Sequence, residues 1–251
     1  MLPKLRIASR EALAFVRQAA LLRHDVTSPV LPSELAVGDD VVVCLHGLFA
    51  TAGVLRPLRR TLEQAGVRTV TTTYAPGPGI DKLADRLAPL MAELGDVRVH
   101  LVGHSLGGLV ARRFATRAVD PRVVQTISLG SPFAGLRATG LGLTGGLTGL
   151  VLTGLASSNF GLPRLGAELV RDLEPQSAVL RELRLATSTV PHLSILAADD
   201  QFVSSPMSHT LASGEVELIS ECAHNTLLFD ERVLAIVERR VLAMAGSRRA
   251  D

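Results

Sequence analysis

The sequence predicts an α/β protein with a mostly parallel β-sheet and helices on both faces of that sheet. Three observations predict this class. Short apolar runs rich in β-branched residues alternate with segments of helical periodicity, which is the order found in parallel α/β sheets. The chain has 251 residues, a length that one α/β domain commonly reaches. Hydrophobic residues make up 47% and charged residues 20%, an ordinary globular balance, so we expect a single domain over 1–251.

The first half of the chain supplies most of this alternation. The run at 41–45 is short, continuous and β-branched, as expected for a strand that is buried on both faces. The predicted strands of this half are 41–45, 68–74, 97–102 and 123–129, and the predicted helices are 53–65, 80–94 and 106–118. Because strands joined by helices run parallel in one sheet, these strands are expected to lie side by side.

The second half interrupts the pattern before resuming it. Alternation lapses after residue 129, and residues 138–163 carry no charge and consist largely of Leu, Gly and Thr. Alternation resumes with predicted strands at 192–198 and 215–219, and a closing helix is predicted at 226–244.

Residues 1–40 are predicted to form an N-terminal helix and a linker. Apolar residues recur there at three- and four-residue spacing, which indicates an amphipathic helix; they are Ala12, Phe15, Val16, Ala19 and Leu22. We expect this helix to pack on its own domain, and docking on a membrane or a partner is the second interpretation. Charged residues break every apolar run before it reaches signal-peptide length. No export is therefore expected, and the predicted location is cytoplasmic, with membrane association left open.

Composition argues against several classes of protein. Seven Phe, one Tyr and no Trp make a base-stacking surface unexpected, and a net charge of +2 with dispersed arginines gives no nucleic-acid patch. Cys44 and Cys222 are too few for a disulfide scaffold and are expected to be free and buried. No clustered set of oxygen ligands indicates a structural calcium ion, so no metal site is predicted.

The pattern G-x-S-x-G at 103–107 points to a nucleophile. An apolar strand leads into it and a helix leads out, so Ser105 is expected on a sharp turn with its hydroxyl exposed above the sheet. The flanking glycines allow the close approach of strand and helix that such a turn requires. The helix N-terminus adds partial positive charge that suits an oxyanion. A glycine-rich turn that merely ends a buried strand is the alternative interpretation.

A serine hydroxyl needs a base and an acid that orients the base, and the chain offers both after Ser105 in the order acid, then histidine. His224 follows the last predicted strand, which places it at the carboxyl edge of the sheet, where Ser105 is also expected. Asp199 and Asp200 both follow the strand that ends at residue 198, and either could reach the histidine. Asp200 is preferred because a hydrophobic anchor, Val203, stands three residues after it.

The loop after the first strand is expected to supply a second donor for an oxyanion. Gly47 allows the backbone to bend toward the site, and the backbone amide of Leu48 could pair with that of Leu106. The amide of Phe49 is the less favoured choice. A His-Gly pair after a strand is a weak signal alone and becomes a strong one when a serine turn follows in the sequence.

Together these motifs resemble the α/β-hydrolase superfamily, specifically its bacterial lipases and esterases, over residues 41–241. The motifs that carry the resemblance are LHGL at 45–48, GHSLGG at 103–108, GSPFAG at 130–135, DQFV at 200–203 and His224. The resemblance implies cleavage of carboxylic esters of lipids without a cofactor. It also implies Ser105 as nucleophile, Asp200 as acid and His224 as base. Leu48 and Leu106 are the implied oxyanion donors.

The resemblance further implies an α/β-hydrolase fold with a cap or lid inserted at 134–185. Because residues 1–40 lack the antiparallel hairpin that begins the fuller fold, we expect a trimmed sheet of about six strands. The charge-free stretch 138–163 predicts a mobile apolar lid, with a partly buried loop as the alternative, and its glycines and threonines argue against a membrane span. The lid and the N-terminal helix are the two candidates for peripheral contact with a membrane.

The expected substrate is a small-molecule or lipid ester. Its pocket should be lined by aliphatic side chains, with Phe49 and Phe133 as expected aromatic contacts and Phe160 and Phe202 as further candidates. Acyl transfer, or hydrolysis of thioesters or amides, is an alternative on the same three residues because all these reactions pass through an acyl-enzyme. A catalytically silent binding or scaffold protein is the alternative from another class. The G-x-G-x-x-G pattern at 140–145 does not directly follow a strand, so a dinucleotide site is set aside.

Overall fold

The computed structural model describes residues 2–26, 29–32, 34–75, 77–136, 166–203 and 205–246. Its strands are β1 (Asp40–Leu45), β2 (Arg68–Thr72), β3 (Arg98–His104), β4 (Val123–Leu129), β5 (His192–Ala197) and β6 (Glu215–Ile219). They form one sheet in the order β2-β1-β3-β4-β5-β6, and each neighbouring pair is parallel. The predicted α/β class, the parallel sheet and its six strands are confirmed.

The central strands are apolar because both faces of the sheet are covered. Val41, Val42 and Val43 of β1 are fully buried although their side chains point alternately to opposite faces. Val43 pairs in register with Val70 of β2 and with Leu101 of β3, which extends the apolar layer across three strands. The edge strand β6, by contrast, exposes most of its residues.

Helices pack on both faces of the sheet, as predicted. The α-helices of the described residues are α1 (Leu2–Leu21), α2 (Arg56–Gln64), α3 (Ile80–Asp85), α4 (Leu87–Glu93), α5 (Leu106–Arg117), α6 (Ala167–Asp172), α7 (Ala178–Leu185) and α8 (Glu231–Gly246). Short 3-10 helices span Ala52–Leu55, Pro206–His209 and Thr226–Leu228. Helices α3 to α7 bury their apolar side chains on one face of the sheet, and α2 and α8 bury theirs on the other.

Proline explains two differences between the predicted and the observed helices. The helix predicted at 80–94 is divided into α3 and α4 at Arg86. Pro89 has no N–H to donate to the carbonyl four residues earlier, so the helical ladder is interrupted at this point. The helix predicted at 53–65 begins as a 3-10 turn and becomes α2 at Arg56, just before Pro57, a residue that suits the first turn of a helix.

The expected cap at 134–185 is described only in part. Residues 137–165 lie outside the described residues, and the charge-free stretch 138–163 and the pattern at 140–145 lie there with them. The described part contains α6 and α7. Leu169, Leu180 and Leu183 of these helices are buried in the same core cluster as α5, so this part packs as an integral layer of the domain.

The N-terminal helix α1 packs beside the carboxyl edge of the sheet, near the loop after β1. The hydroxyl of Thr51 donates to the carbonyls of Leu22 and His24, both at 3.1 Å. Asp25 forms an ion pair with Arg56 at 3.1 Å. These contacts fix the end of α1 to the loop that leaves β1. None of the described helices combines the length and apolarity needed to cross a membrane.

Candidate active site

Ser105 occupies a strained turn between the end of β3 and the start of α5. Its φ of +53° and ψ of −119° lie outside the regions that non-glycine residues favour, at a cost on the order of 1–3 kcal/mol. Two hydrogen bonds hold the turn. The Ser105 amide donates to the Leu129 carbonyl at 2.8 Å, and the Ser131 hydroxyl donates to the Ser105 carbonyl at 2.7 Å. This geometry is the strand-to-helix turn that the sequence predicted.

Two glycines make the turn sterically feasible. A β-carbon at Gly103 would overlap the backbone of Gly107, and a β-carbon at Gly107 would overlap the carbonyl of Leu45. The first turn of α5 therefore packs directly against the end of β1. This close approach brings the N-terminus of α5 and the loop after β1 together near Ser105.

His224 and Asp200 form a buried hydrogen-bonded pair. The Nδ1–H of His224 donates to Asp200 Oδ2 at 2.7 Å. The other carboxylate oxygen, Oδ1, accepts the backbone amides of Phe202 at 2.9 Å and Val203 at 2.7 Å. Asp199 is exposed, and its contact with the loop of His224 is made by its backbone amide. Asp200 is therefore the carboxylate that faces the histidine.

The pKa of the His224 imidazole is raised above its ordinary value. Burial by itself would lower it, because burial disfavours the charged form of the ring. The carboxylate of Asp200 outweighs burial through its charge and its hydrogen bond, and the charge of Glu11 adds to the effect. The site consequently stabilises an imidazolium, which is the form that a general base acquires when it takes a proton.

His104 lies beside His224 and is held neutral. The two rings have centroids 4.8 Å apart. Burial first, and then the charge of His224, keep the pKa of His104 well below its ordinary value. Its Nε2 lies 3.3 Å from the His224 carbonyl, and since a carbonyl only accepts, the neutral ring donates Nε2–H to it. His104 thus supports the backbone of His224 without adding a competing charge.

His46 organises the loop after β1. Its Nδ1–H donates to the Gly47 carbonyl at 2.7 Å, and its Nε2 accepts the Tyr74 amide at 3.1 Å. Burial lowers the pKa of His46 to about 4, so the ring stays neutral and keeps this tautomer. The Tyr74 ring stacks on it at 4.1 Å, and the Tyr74 hydroxyl donates to the His46 carbonyl. Sequence reasoning assigned His46 no role; in the structure it braces the loop.

The two expected oxyanion donors belong to two different segments near Ser105. Leu106 is the first residue of α5, directly after Ser105, and Leu48 belongs to the loop braced by His46. A β-carbon placed on Gly47 would come within 3.2 Å of the Ser105 β-carbon, which shows how closely this loop approaches the serine. Leu48 also lines the cavity that contains Ser105. The assignment of the two amides to an oxyanion stays a prediction.

A cavity of about 210 Å³ contains both Ser105 and His224. Its walls come from α1, the loop after β1, the serine turn and the loops after β5 and β6. The lining residues are Phe15, Gln18, Ala19, Leu22, Gly47, Leu48, Phe49, His104, Ser105, Phe202, His224 and Asn225. The expected aromatic contact Phe49 is among them, and so is Phe202. The wall supplied by α1 was missed from the sequence, because the helical pattern indicates an apolar face without saying what it covers.

Phe133 corrects an expectation. The sequence predicted that it contacts substrate, but its side chain has no exposed surface. Its ring packs edge-on against His192, with centroids 5.4 Å apart, within the core cluster that also contains the apolar side chains of α5. The backbone turns at Gly135, where φ is +81°, and Leu136 is buried in the same cluster. Phe133 is a core residue rather than a cavity residue.

The described residues contain no group of three or more His, Cys, Asp or Glu side chains arranged to hold a metal ion. The cysteines are free and buried, as expected. Burial raises the pKa of each thiol to about 12, so neither is poised as a nucleophile. Among the described residues, Ser105 is thus the one nucleophile candidate that combines a strained turn, a cavity and an adjacent histidine.

An α/β sheet with a serine turn after a central strand and an acid–histidine pair on later loops defines the hydrolase type of α/β protein. A model of the alpha/beta hydrolase family matches residues 42–239, which is most of the chain. The chain therefore belongs to the alpha/beta hydrolase family. A search of curated protein sequences gave no match.

Solved structures of similar fold include bacterial and archaeal enzymes. The Paleococcus ferrophilus monoacylglycerol lipase aligns with a TM-score of 0.60 at 17% identity, covering 87% of this chain and 98% of that one. The Bacillus licheniformis lipase BlEst2 gives 0.62 at 12% identity, with 85% and 97% covered. The Bacillus subtilis carboxylesterase CesB gives 0.55 at 16% identity, with 97% and 98% covered. At these identities the similarity establishes the fold.

Proposed function

We propose that the chain is a serine hydrolase that cleaves carboxylic esters with apolar acyl groups, of the kind found in lipids. The observation that carries this proposal is the convergence of two features on one cavity. Ser105 is presented on a strained turn, and His224 is held by the buried carboxylate of Asp200 at 2.7 Å. A serine becomes a nucleophile only when an oriented base accepts its proton, and this pair supplies such a base.

In the first half of the reaction, the ester bond is exchanged for an acyl-enzyme bond. His224 Nε2 accepts the proton of the Ser105 hydroxyl while the serine oxygen attacks the carbonyl carbon. The hydrogen bond to Asp200 fixes the tautomer that leaves Nε2 free to accept. The carbonyl oxygen becomes an oxyanion that the amides of Leu48 and Leu106 stabilise. His224 then returns the proton to the leaving oxygen, and the alcohol departs.

In the second half, water takes the place of the serine hydroxyl. His224 accepts a proton from water, the hydroxide attacks the acyl carbonyl, and the same two amides hold the oxyanion. Collapse of this intermediate breaks the bond to Ser105, which recovers its proton from His224. The carboxylic acid leaves, and the enzyme returns to its starting state. No cofactor takes part in these steps.

The cavity wall supports the choice of an apolar acyl group. Phe15 and Ala19 of α1, and Leu22 just after it, line the cavity together with Phe49 and Phe202, so the space beside Ser105 is bounded largely by hydrocarbon. Burial of each methylene contributes about 0.8 kcal/mol, which corresponds to about a fourfold rise in kcat/KM per methylene until the cavity is filled. The names of the structural neighbours, which are lipases and a carboxylesterase, point to the same substrate class.

Hydrolysis of p-nitrophenyl esters from acetate to laurate tests this proposal. We expect kcat/KM to rise with acyl length and then level off. The variants Ser105→Ala and His224→Ala should each lose at least about 1,000-fold in kcat. Ser220→Ala, at an exposed serine after β6, is the matched control and should keep full activity. A fluorophosphonate probe should label the wild type and leave Ser105→Ala unlabelled.

Three outcomes would contradict the proposal. Undiminished hydrolysis by Ser105→Ala or His224→Ala would refute the assignment of these residues. Labelling of Ser105 without hydrolysis, but with transfer of the acyl group to an added alcohol, would make the protein an acyltransferase. Neither labelling nor turnover of any ester would indicate a binding protein that keeps the fold.

A further inference from the structure

Glu11 of α1 makes a buried contact with the loop that carries His224. Its Oε1 accepts the backbone amide of Asn225 at 2.9 Å and the side-chain amide of Asn225 at 2.8 Å. Its Oε2 accepts the backbone amide and the hydroxyl of Thr226 at 2.9 and 2.8 Å. Glu11 is only 7% exposed. One carboxylate therefore binds both residues that follow His224.

This contact is chemically unusual because all four donors are neutral groups. A buried carboxylate costs several kcal/mol unless hydrogen bonds replace its water, and four donors satisfy both oxygens here. Two of the donors are the backbone amides that begin the 3-10 helix Thr226–Leu228, so the negative charge also lies at a helical N-terminus. The arrangement holds the carboxylate of Glu11 close to His224.

Helix α1 lies outside the residues that match the family model, which begin at 42. We propose that Glu11 is a positioning residue for the base, which clamps the loop of His224 and stabilises the imidazolium that forms during turnover. This inference rests on the proposed function of His224. It assigns to the N-terminal helix a part in the site beyond that of a cavity wall.

Three ionisable side chains act on His224 from different elements. Asp200, on the loop after β5, binds the ring directly, and Glu11 acts from α1. His104, at the end of β3, is neutral and adds no charge while it remains so. Asp200 and Glu11 together outweigh burial and raise the pKa of His224. The share that comes from Glu11 can be removed without touching the Asp200 pair.

The variant Glu11→Gln keeps the size of the side chain and removes its charge. We expect the pKa of His224, followed by NMR of the imidazole, to fall by at least about half a unit. The acid limb of kcat/KM should move to lower pH by the same amount. The glutamine side chain also replaces one acceptor oxygen by an NH2 group, which cannot accept hydrogen bonds from Asn225 or Thr226. The loop of His224 should therefore be held less firmly, and kcat should fall about tenfold.

Two further variants separate position from charge. Glu11→Asp keeps the charge but is shorter by one methylene, so kcat should fall while the acid limb stays near its wild-type pH. It also serves if Glu11→Gln fails to fold. Asp25→Asn is the matched control. Asp25 follows the C-terminal end of α1, away from His224, and the variant removes its ion pairs with Arg56 and Arg59. It should lower thermal stability without moving the acid limb.

The outcomes distinguish this inference from the proposed function. If the wild type hydrolyses esters but Glu11→Gln keeps its kcat and its acid limb, Glu11 has no positioning role. An equal shift in Asp25→Asn, or a wild-type kcat in Glu11→Asp, would also overturn the inference. If the wild type hydrolyses no ester, the proposed function fails, and the NMR titration of His224 still decides whether Glu11 sets its pKa.

A separate observation concerns the outward face of α1. Three arginines, Arg6, Arg10 and Arg17, are exposed on this side, whereas Lys4 and the one acidic residue, the buried Glu11, are seven residues apart and share another side of the helix. The helix thus carries a net charge of +3, compared with +2 for the whole chain. Large apolar side chains are exposed among these cations: Leu5 is 62%, Leu13 50% and Val16 66% exposed.

We infer that this face of α1 docks on an anionic bilayer surface. Exposed cations complement acidic headgroups, and the apolar side chains between them can enter the interface. Phe15 and Ala19 of the same helix line the cavity of Ser105, so docking would place the lipid beside a helix that bounds that cavity. A helix that attaches to the surface is distinct from one that spans it, and the inference needs only the former.

Vesicle co-sedimentation tests this inference with the intact chain. Binding to phosphatidylcholine vesicles that contain phosphatidylserine should exceed binding to phosphatidylcholine alone and should weaken with salt. The double variant R6Q/R10Q should bind about 30-fold more weakly, and the matched control R171Q/R181Q, at exposed arginines of α6 and α7, should bind as the wild type. Equal binding to both vesicle types, or none, would overturn the inference. The inference would also be overturned if the protein formed a dimer that the variant Val16→Ser dissociates, because this face of α1 would then bind a second copy of the chain.

Discussion

The variant Asp200→Asn tests the proposed base more sharply than removal of the histidine. Asp200 uses both of its oxygens: Oδ2 accepts from His224, and Oδ1 accepts the amides of Phe202 and Val203. Asparagine has a single acceptor oxygen. Because two backbone amides at 2.9 and 2.7 Å need that oxygen, the NH2 group must turn toward His224.

An NH2 group beside Nδ1 reverses the hydrogen bond. Nδ1 must then accept, so the proton of the neutral ring moves to Nε2, the nitrogen that should accept from Ser105. We expect kcat to fall about 10,000-fold, which is about 5.4 kcal/mol, while KM changes little because the acid lies behind the histidine. Steady-state kinetics with p-nitrophenyl butyrate measure this loss, and thermal unfolding verifies that the variant folds.

The neighbouring aspartate supplies the control. Asp199 is exposed, so Asp199→Asn should retain wild-type kcat. A loss below about tenfold in Asp200→Asn would refute the tautomer argument. An equal loss in Asp199→Asn would refute the assignment of Asp200 as the orienting acid.

Four further predictions follow from named features of the structure. Phe133→Ala should lower the free energy of unfolding by about 3–5 kcal/mol and leave KM unchanged. Phe202→Ala, at a residue that lines the cavity, should raise KM. A raised KM in Phe133→Ala would show that Phe133 contacts substrate after all. Since turnover needs a neutral His224 whose pKa is raised, kcat/KM should fall as pH drops through a value above the ordinary pKa of histidine, and an acid limb below that ordinary value would contradict this. Because the pKa of His224 is raised on folding, its contribution to the free energy of unfolding is fully present below its pKa in the unfolded chain and is lost as pH rises through its pKa in the folded protein. His224→Ala should remove this dependence of the free energy of unfolding on pH. Ala19→Leu should fill part of the cavity and lower kcat/KM for esters of long acyl chains by about fourfold for each methylene that no longer fits. The kcat/KM for the acetate ester should not change. An equal loss on acetate would show that α1 does not bound the acyl site.

Local patterns were sufficient for the elements that depend on neighbours in sequence. The strand at 123–129 has the predicted bounds, and the serine turn was readable because its strand, glycines and helix are contiguous. The division at Arg86 was readable in principle from Pro89, since a proline inside a helical pattern removes one bond of the ladder. The prediction for β2 ran two residues too far. The predicted strand included Thr73, which lies outside β2 and whose hydroxyl donates to the Asp25 carbonyl.

Contacts between distant segments were not readable in the same way. Glu11 follows an ordinary helical pattern, and nothing near it indicates that its partners are Asn225 and Thr226. Phe133 and Phe202 both follow strands that end at the site, yet one is buried in the core and the other lines the cavity. The difference depends on which helices cover each loop, and that is decided by packing rather than by spacing.

The contact of Glu11 with the loop of His224 can form only late in synthesis, because its two sides are far apart in the sequence. Glu11 of α1 is made before its partner Asn225, which lies 214 residues later in the chain. At about 5–20 residues per second, roughly 10–40 s pass before that partner exists. For this interval Glu11 lacks both of the residues that it binds in the folded structure. The nascent chain therefore carries Glu11 without its partners throughout this interval, and the loop of His224 gains this support only after Thr226 has been made.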